Sequence, residues 1–446
     1  MYDRTQKLAD IINDSPLSRL QIRVLLLCFL IVLLDGFDTA VIGYIGPELI
    51  QSWHIDLAQL APAFGAGLFG MLIGSFGFGP LADKYGRKTV LLICVSIFAV
   101  GTIASALSPS IDVLTGLRFL IGIGLGGVLP NCITLSTEYS PARRRMLLVT
   151  LSYSGFTLGM ALGGGLAGLL LPVVGWQGLL LIGGLMPLLL LPVLYFALPE
   201  SVCFMANSPR HSTLLRRTVE QISGRSDWDN VRFVSDAAVH GISPSRVSAL
   251  FAKDQVLRTL MLWLTFFCCL FVFYLLTNWL PTVLLGGGYN TSNAAQFSSM
   301  IPFGGVVGGI VMALLMDRIG PWRVLPMLCL CAALTLAVTG TQLESGPRLL
   351  VIVFLAGFSL TGTLNNLSIF AATLYSTDCR ATGVSWALGA GRAGAILGSM
   401  LGGWIFTTAG DLEIFFIWIA LPMLVASFSM FAMSSVRGAK VESAQA

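Results

Sequence analysis

The sequence predicts an all-α membrane protein with twelve transmembrane helices in two pseudo-symmetric six-helix bundles. Three observations predict it. Of the 446 residues, 55% are hydrophobic and only 11% are charged, whereas a soluble protein carries about 25% charged residues to cover its surface. Twelve apolar stretches each approach the roughly 20 residues that cross a hydrocarbon core. The two halves of the chain repeat one another. The composition excludes a soluble enzyme, a disordered chain and a nucleic-acid binder.

The stretches run over 23–47, 57–81, 88–108, 112–137, 146–171, 177–198, 257–284, 294–316, 322–341, 348–374, 382–408 and 412–434. They divide the chain into an N-terminal tail (1–22), a first bundle (23–199), a polar central loop (200–256), a second bundle (257–434) and a C-terminal tail (435–446). The first twenty residues are polar, with Asp3, Arg4, Lys7, Asp10 and Arg19, unlike a cleavable signal peptide. Orientation follows from Lys and Arg, which collect on cytoplasmic loops. With the N-terminus inside, all 26 of them fall on inner segments except Arg118, Arg348 and Arg392. Both termini are therefore expected in the cytoplasm.

The repeat has three anchors. Pro47 pairs with Pro281, each ending the first helix of a half. Asp83-Lys-Tyr-Gly86 pairs with Asp317-Arg-Ile-Gly320 at the same spacing. Thr137-Glu-Tyr-Ser140 pairs with Thr373-Leu-Tyr-Ser376 two residues further apart. Repeated halves are the sequence mark of a secondary transporter whose site lies at their interface.

Charges within the spans point to that site. Asp35 and Asp38 stand three apart on one helical face. By helical rise, Asp35 lies about 18 Å from Arg23, near the middle of a core about 30 Å thick. A carboxylate at that depth is costly unless paired or protonated, so it suits a proton carrier. A structural pairing with a nearby Arg or Asn is the competing reading. Arg118 reaches a similar depth, and because it keeps its charge it must meet an anion. That anion is an aspartate, a substrate carboxylate, or each in turn. Arg392 stands among Gly389, Ala390, Gly391, Ala393 and Gly394, where it either binds a carboxylate or braces closely packed helices. Two Asp and two Arg sum to zero. An arriving carboxylate leaves one negative charge that protonation of an Asp removes, so proton and anion bind with positive coupling.

Several motifs carry a family resemblance. Gly79-Pro-Leu-Ala-Asp83-Lys-Tyr-Gly86-Arg87-Lys88 resembles the loop between helices 2 and 3 of the major facilitator superfamily, and Asp317-Arg318-Ile-Gly320 its degenerate second copy. Arg118-Phe-Leu-Ile-Gly-Ile-Gly-Leu-Gly-Gly127 and Pro199-Glu-Ser201 are similar to its helix 4 and helix 6 motifs. At a finer level, Asp35-Gly-Phe-Asp38, Asn278-Trp-Leu-Pro281, Arg380-Ala-Thr-Gly383 and Gly391-Arg392-Ala-Gly394 resemble the aromatic acid:proton symporter family. Val202-Cys203-Phe204 departs from its relatives, which often carry Pro and Arg there.

The resemblance implies a major facilitator fold in a bacterial cytoplasmic membrane, with helices 1, 4, 7 and 10 lining the cavity. Asn131, Tyr274, Asn278, Asn365 and Asn366 would then read ring hydroxyls, or bond between helices. Trp279, with Phe37 and Phe273, would stack on a ring or serve as packing. It also implies gating at the cytoplasmic side through Asp83, Arg87 and Lys88, with Glu138, Arg143 and Arg380 as partners and with Asp317 and Arg318 in the second copy. The expected activity is proton-coupled uptake of a small aromatic carboxylate by a protein working as a monomer in the lipid bilayer. A sugar or other organic-anion porter and an efflux exchanger are alternatives. No cofactor beyond the coupling proton is expected. The pattern GxGxxG occurs four times, but always inside an apolar stretch and never after a strand, so it does not mark a nucleotide site. His54, His211 and His240 are too widely spaced to hold a metal. No hydrolase or ATPase motif is present.

Overall fold

The computed structural model describes residues 4–207, 211–225, 228, 231–234, 255–342, 346–375 and 380–445, with the backbone alone at 4, 232, 372, 380, 381 and 435–445. The chain opens with strand β1 (Arg4–Lys7) and helix α1 (Leu8–Asp14). The first four spans are α2 (Arg19–Trp53), α3 (Leu57–Tyr85), α4 (Arg87–Ala106) and α5 (Ile111–Glu138). The fifth and sixth share α6 (Arg145–Ala197), which breaks at Gly175, φ 65° and ψ −178°. The short elements α7 (Val202–Ala206), α8 (Ser212–Ser223) and β2 (Val231–Val234) follow. The second half comprises α9 (Val256–Gly286), a lead-in α10 (Thr291–Ser298) continuing into α11 (Met300–Ile319), α12 (Pro321–Thr341), α13 (Gly346–Leu374), α14 (Arg380–Ala409) and α15 (Leu412–Gln445).

All twelve predicted stretches are thus helical. Among the described residues, ten helices are apolar and long enough to cross a membrane, with α6 counted once. The helix outside that count, α14, has the length, but Arg392 and its glycines dilute its hydropathy. Large apolar side chains stand exposed on the outer surface of the helices: Phe196 is 84% exposed and Phe428 75%. Water does not tolerate such a belt on a monomeric protein, whereas lipid does.

Local signals fix the helix ends. Ser18 caps α2: its hydroxyl accepts from Gln21 N, and Gln21 Oε1 accepts from Ser18 N at 2.8 Å. This reciprocal cap satisfies two orphan donors. The same Gln21 donates Nε2 to Tyr139 O at 2.8 Å and ties the start of α2 to the end of α5. The two copies of the internal repeat share one backbone: Gly86 has φ 95° and ψ 149°, Gly320 φ 85° and ψ 148°. Only glycine adopts this conformation readily, which is why both copies carry it.

Within each half the helices pack α2 on α6, α3 on α5, α9 on α14 and α11 on α13. The halves meet toward the end remote from the Lys84–Lys88 turn. There α2 and α9 cross so closely that a side chain at Gly43 would strike the backbone of Thr277 and Asn278. Each of those helices carries its internal proline, Pro47 or Pro281, one turn beyond the crossing. At the same end the Ser292 hydroxyl donates to Gly168 O. The end bearing Lys84–Lys88 and Arg143–Arg145 is called the basic end below.

The terminal tail and central segment contain more order than polar loops require. β1 pairs in parallel with β2, Arg4 opposite Val231 and Lys7 opposite Val234. Helix α8 buries Leu215, Thr218, Val219 and Ile222, the stripe of an amphipathic helix, and α1 packs against it. Asn13 Oδ1 accepts from Ala142 N at 2.7 Å, joining the tail to the turn between α5 and α6.

Candidate functional site

The four intramembrane charges separate into a fixed pair and a looser one. Asp38 is 1% exposed and fully engaged. Its Oδ1 accepts from Thr102 Oγ1 at 2.6 Å, and its Oδ2 accepts from Arg118 Nη1 at 3.2 Å. Arg118 Nη1 also donates to the Asp38 carbonyl at 3.3 Å. The opposite edge of Arg118, Nε and Nη2, is buried without a partner. Asp35, wholly buried, is barely held: Thr39 donates to Oδ1 at 3.4 Å and Oδ2 has no partner. The charge of Arg392 attracts its carboxylate and that of Asp38 repels it. Arg392 is half-buried and donates Nη1 to Met71 O at 3.3 Å across the junction of the halves.

Two cavities flank this centre. The larger, about 310 Å³, lies toward the basic end and is lined by Arg392, Tyr153, Phe156, Tyr274, Ser75 and Ile133 among others. The smaller lies on the remote side, with about 30 Å³ of free space bounded by Asp38, Thr39, Arg118, Tyr274 and Asn278. Leu68, Met71 and Tyr274 border both and form the wall between them. The first volume reaches the lower end of small-molecule sites, about 300–1,000 Å³. The second has room for one or two waters.

The remaining residues singled out from the sequence are distributed as follows. Tyr274 lines both cavities, and Asn278 lines the smaller while donating Nδ2 to Ser399 Oγ at 2.7 Å. Asn131 returns its amide to Gly127 O within its own helix at 2.7 Å. Asn365 and Asn366 donate to Gly305 O and Gly309 O, bonding α13 to α11. Trp279 borders neither cavity. It is fully buried, donates Nε1 to Ser399 O and packs edge-on to Phe64. Residues not singled out beforehand include Thr102, Thr39 and Tyr153. Each is a hydroxyl in an apolar helix, a signal shared with the many that only bond their own backbone.

At the basic end, Arg87 joins Asp83 at 3.3 Å and Glu138 at 3.0 Å. Ser201 donates its hydroxyl to Glu138. Glu200 Oε1 accepts from the backbone N–H of Lys88 and of Ser201, and Tyr139 donates to Glu200 O at 2.7 Å. Lys88 Nζ reaches Tyr195 O at 2.6 Å. Arg143 is exposed and outside this network. Asp317 and Arg318 are exposed and form no ion pair among the described residues. The side chain of Arg380 lies outside the described ones. The four GxGxxG segments fall inside α3, α5, α6 and α14, as tight helix contacts. Among the described residues no cluster of His, Cys, Asp and Glu could hold a metal.

Two related six-helix halves, a charged centre at their junction and a cavity toward one end define a secondary-transporter architecture. Residues 28–341 match the family model of the Major Facilitator Superfamily, and the chain belongs to that family, one of transporters and not of enzymes. It is 41% identical over 428 residues to a gallate transporter of Pseudomonas putida, covering 96% of this chain and 95% of that one. It is 42% identical over 417 residues to the 4-hydroxybenzoate transporter PcaK of Pseudomonas aeruginosa, covering 93% of each. The resemblance to the aromatic-acid branch therefore holds along the whole chain. Among solved structures, a bacterial homologue of the human lysosomal transporter Spinster, inward-facing and unoccupied, superposes with a TM-score of 0.73 at 19% identity over 94% of this chain and 98% of that one. The inward-open xylose transporter XylE of Escherichia coli gives 0.71 at 16% identity over 92% and 95%. These two share the fold.

Proposed function

We propose that the protein takes up an aromatic monocarboxylate together with a proton across a bacterial cytoplasmic membrane by alternating access. The observation that carries the reading is Arg392 in the wall of a cavity flanked by Tyr153, Phe156 and Tyr274, beside a buried aspartate with an unpartnered oxygen. One guanidinium to meet a carboxylate and aromatic faces to meet a ring suit a benzoate-like anion. The names of the relatives support the same substrate class. The basic end is cytoplasmic by the distribution of Lys and Arg, so the large cavity is the inward-open site.

In this reading the substrate carboxylate rests on Arg392 in the inward-open form. When the halves rock, the remote compartment widens and the free edge of Arg118 meets the carboxylate from outside. Asp35 carries the proton. A buried carboxylate with one bare oxygen is poorly tolerated as an anion, whereas Asp38 already has a donor on each oxygen. Anion and proton then offset one another in the low-dielectric centre, with a coupling of typically about 1–3 kcal/mol. One proton per monoanion makes transport electroneutral and driven by the pH gradient.

Labelled benzoate, 4-hydroxybenzoate and gallate offered to proteoliposomes under an inside-alkaline gradient test the reading. Accumulation of at least one that collapses with a protonophore is expected. The Asp35→Asn variant is expected to lose accumulation while retaining exchange of labelled for unlabelled acid. Accumulation that survives in Asp35→Asn would remove Asp35 as carrier. Absence of transport of all three acids would redirect the search to sugars and aliphatic anions.

A further inference from the structure

Thr102 is wholly buried in α4, and its hydroxyl bonds outside its own helix. Thr115 and Thr277 return their hydroxyl protons to the carbonyl four residues earlier, Ile111 O and Phe273 O, the usual habit of a helical threonine. Thr102 instead reaches across to α2 and donates to Asp38 Oδ1 at 2.6 Å. The other carboxylate oxygen takes only Arg118 Nη1. Nε and Nη2 of Arg118, a residue 3% exposed that borders the small compartment, are buried and unpartnered.

That division is not the one an isolated pair adopts. A guanidinium offers parallel N–H pairs, and a carboxylate takes two of them side by side when it can. Without a second donor on Oδ1, Asp38 would turn to gain another nitrogen of Arg118. The unpartnered edge of Arg118 would then be occupied by the protein's own carboxylate.

We propose that Thr102 is a positioning residue for anion recognition: by holding Asp38 Oδ1 it confines Asp38 to Arg118 Nη1 and reserves Nε and Nη2 of Arg118 for the substrate carboxylate. The inference rests on the reading above, in which that edge meets the substrate once the compartment widens.

Thr102→Val keeps the shape and removes the hydroxyl, and Thr102→Ser restores it. The readouts are KM and Vmax for 4-hydroxybenzoate uptake by proteoliposomes, with equilibrium binding in lipid nanodiscs for variants that do not transport. Thr102→Val is expected to raise KM about tenfold, the worth of about one charge-assisted hydrogen bond, with Vmax within about twofold. Thr102→Ser returns KM to within about twofold of the parent. In the Asp38→Asn background, Thr102→Val changes affinity less than about twofold, because it acts through Asp38. An unchanged KM in Thr102→Val, a loss confined to Vmax and thermal stability, or an equal loss in both backgrounds overturns the proposal. Arg118→Lys separates it from its premise. If KM does not move there, the assignment of Arg118 fails and the inference with it. A raised KM there beside a normal Thr102→Val sinks the inference alone.

Discussion

Replacement of Arg392 by Ala tests the substrate anchor directly. The guanidinium is half-buried, and a single bond, Nη1 to Met71 O at 3.3 Å, commits one of its N–H groups. Four N–H donors remain for a carboxylate, enough for a two-pronged contact. Truncating one member of a buried charge pair costs about 2–5 kcal/mol, and partial exposure places Arg392 in the lower part of that range, about 2–3 kcal/mol. At 1.4 kcal/mol per decade, Kd for 4-hydroxybenzoate rises about 30- to 150-fold. Arg392→Lys keeps the charge and loses the fork, and a rise of about tenfold follows. The assay is calorimetric binding to protein in lipid nanodiscs, run in parallel with 4-hydroxybenzamide. The amide has the same shape and no charge, so its Kd is expected to shift less than about threefold in Arg392→Ala. An equal loss for acid and amide would refute the reasoning, because it would mean that Arg392 packs the cavity and does not pair with the anion.

Gly86→Ala and Gly320→Ala impose the same backbone strain, about 1–3 kcal/mol. Only at Gly86 does the new methyl meet Glu200, while space is open at Gly320, so thermal unfolding should show the larger loss for Gly86→Ala. Equal losses would mean that the Glu200 contact is without consequence. Cysteines at Gly168 and Ser292, where the halves touch at the remote end, are expected to cross-link once the Gln296 side chain and the Ser292 carbonyl yield to the new Cβ at position 168. Cross-linking should abolish uptake while binding from the basic end persists, and reductant should restore uptake. Uptake that continues when cross-linked would show that this contact need not open. Ser201→Ala removes one of the donors to the half-buried Glu138, with an expected loss of about 1 kcal/mol of stability. Glu138→Gln removes the partner of Arg87 as well and is expected to lower the transport rate more than Ser201→Ala does. The reverse order in uptake assays would place the role of Glu138 elsewhere.

The helices were legible because lipid imposes a simple rule: each span must be apolar and satisfy its own backbone. The positions of Asp35, Asp38, Arg118 and Arg392 were legible for the converse reason, since a charge in that setting stands out. Their pairing was not. Residue spacing along α2 does not reveal that Asp38 takes both Thr102 and Arg118 while Asp35 takes neither firmly. That choice depends on how α4 and α5 rotate about their axes, which tight helix contacts decide. Trp279 shows the opposite failure. Its aromatic ring suggests stacking on a substrate, but Gly402 and Gly403 leave a slot in α14 that the indole fills. The order in the tail and central segment was hidden as well, because the stripe on α8 is short and its partner α1 lies some two hundred residues away in the chain.

The two copies of the repeat share a backbone and differ in chemistry, and that difference bears on how the basic end closes. At the spacing of Gly86 and Gly320, Arg87 corresponds to Pro321, Lys88 to Trp322 and Glu200 to Ser434. At the spacing of the two Thr-x-Tyr-Ser segments, Glu138 corresponds to Leu374. In the first copy these positions form a charged clasp in which Arg87 and Glu200 bind neighbouring elements. In the second, Trp322 packs edge-on to Phe370 at 4.8 Å, inside an apolar cluster with Leu374 and Tyr375. Apolar packing has no exchangeable partners, whereas ion pairs near water can be traded at little net cost. In the proposed alternating access, the ion pairs available to be traded at this end as the halves rock are those of the first copy, since Asp317 and Arg318 form none among the described residues. Asp83, whose side chain is 73% exposed and shares Arg87 with Glu138, is the member of the clasp that the proposed mechanism hands to a new partner in the other half.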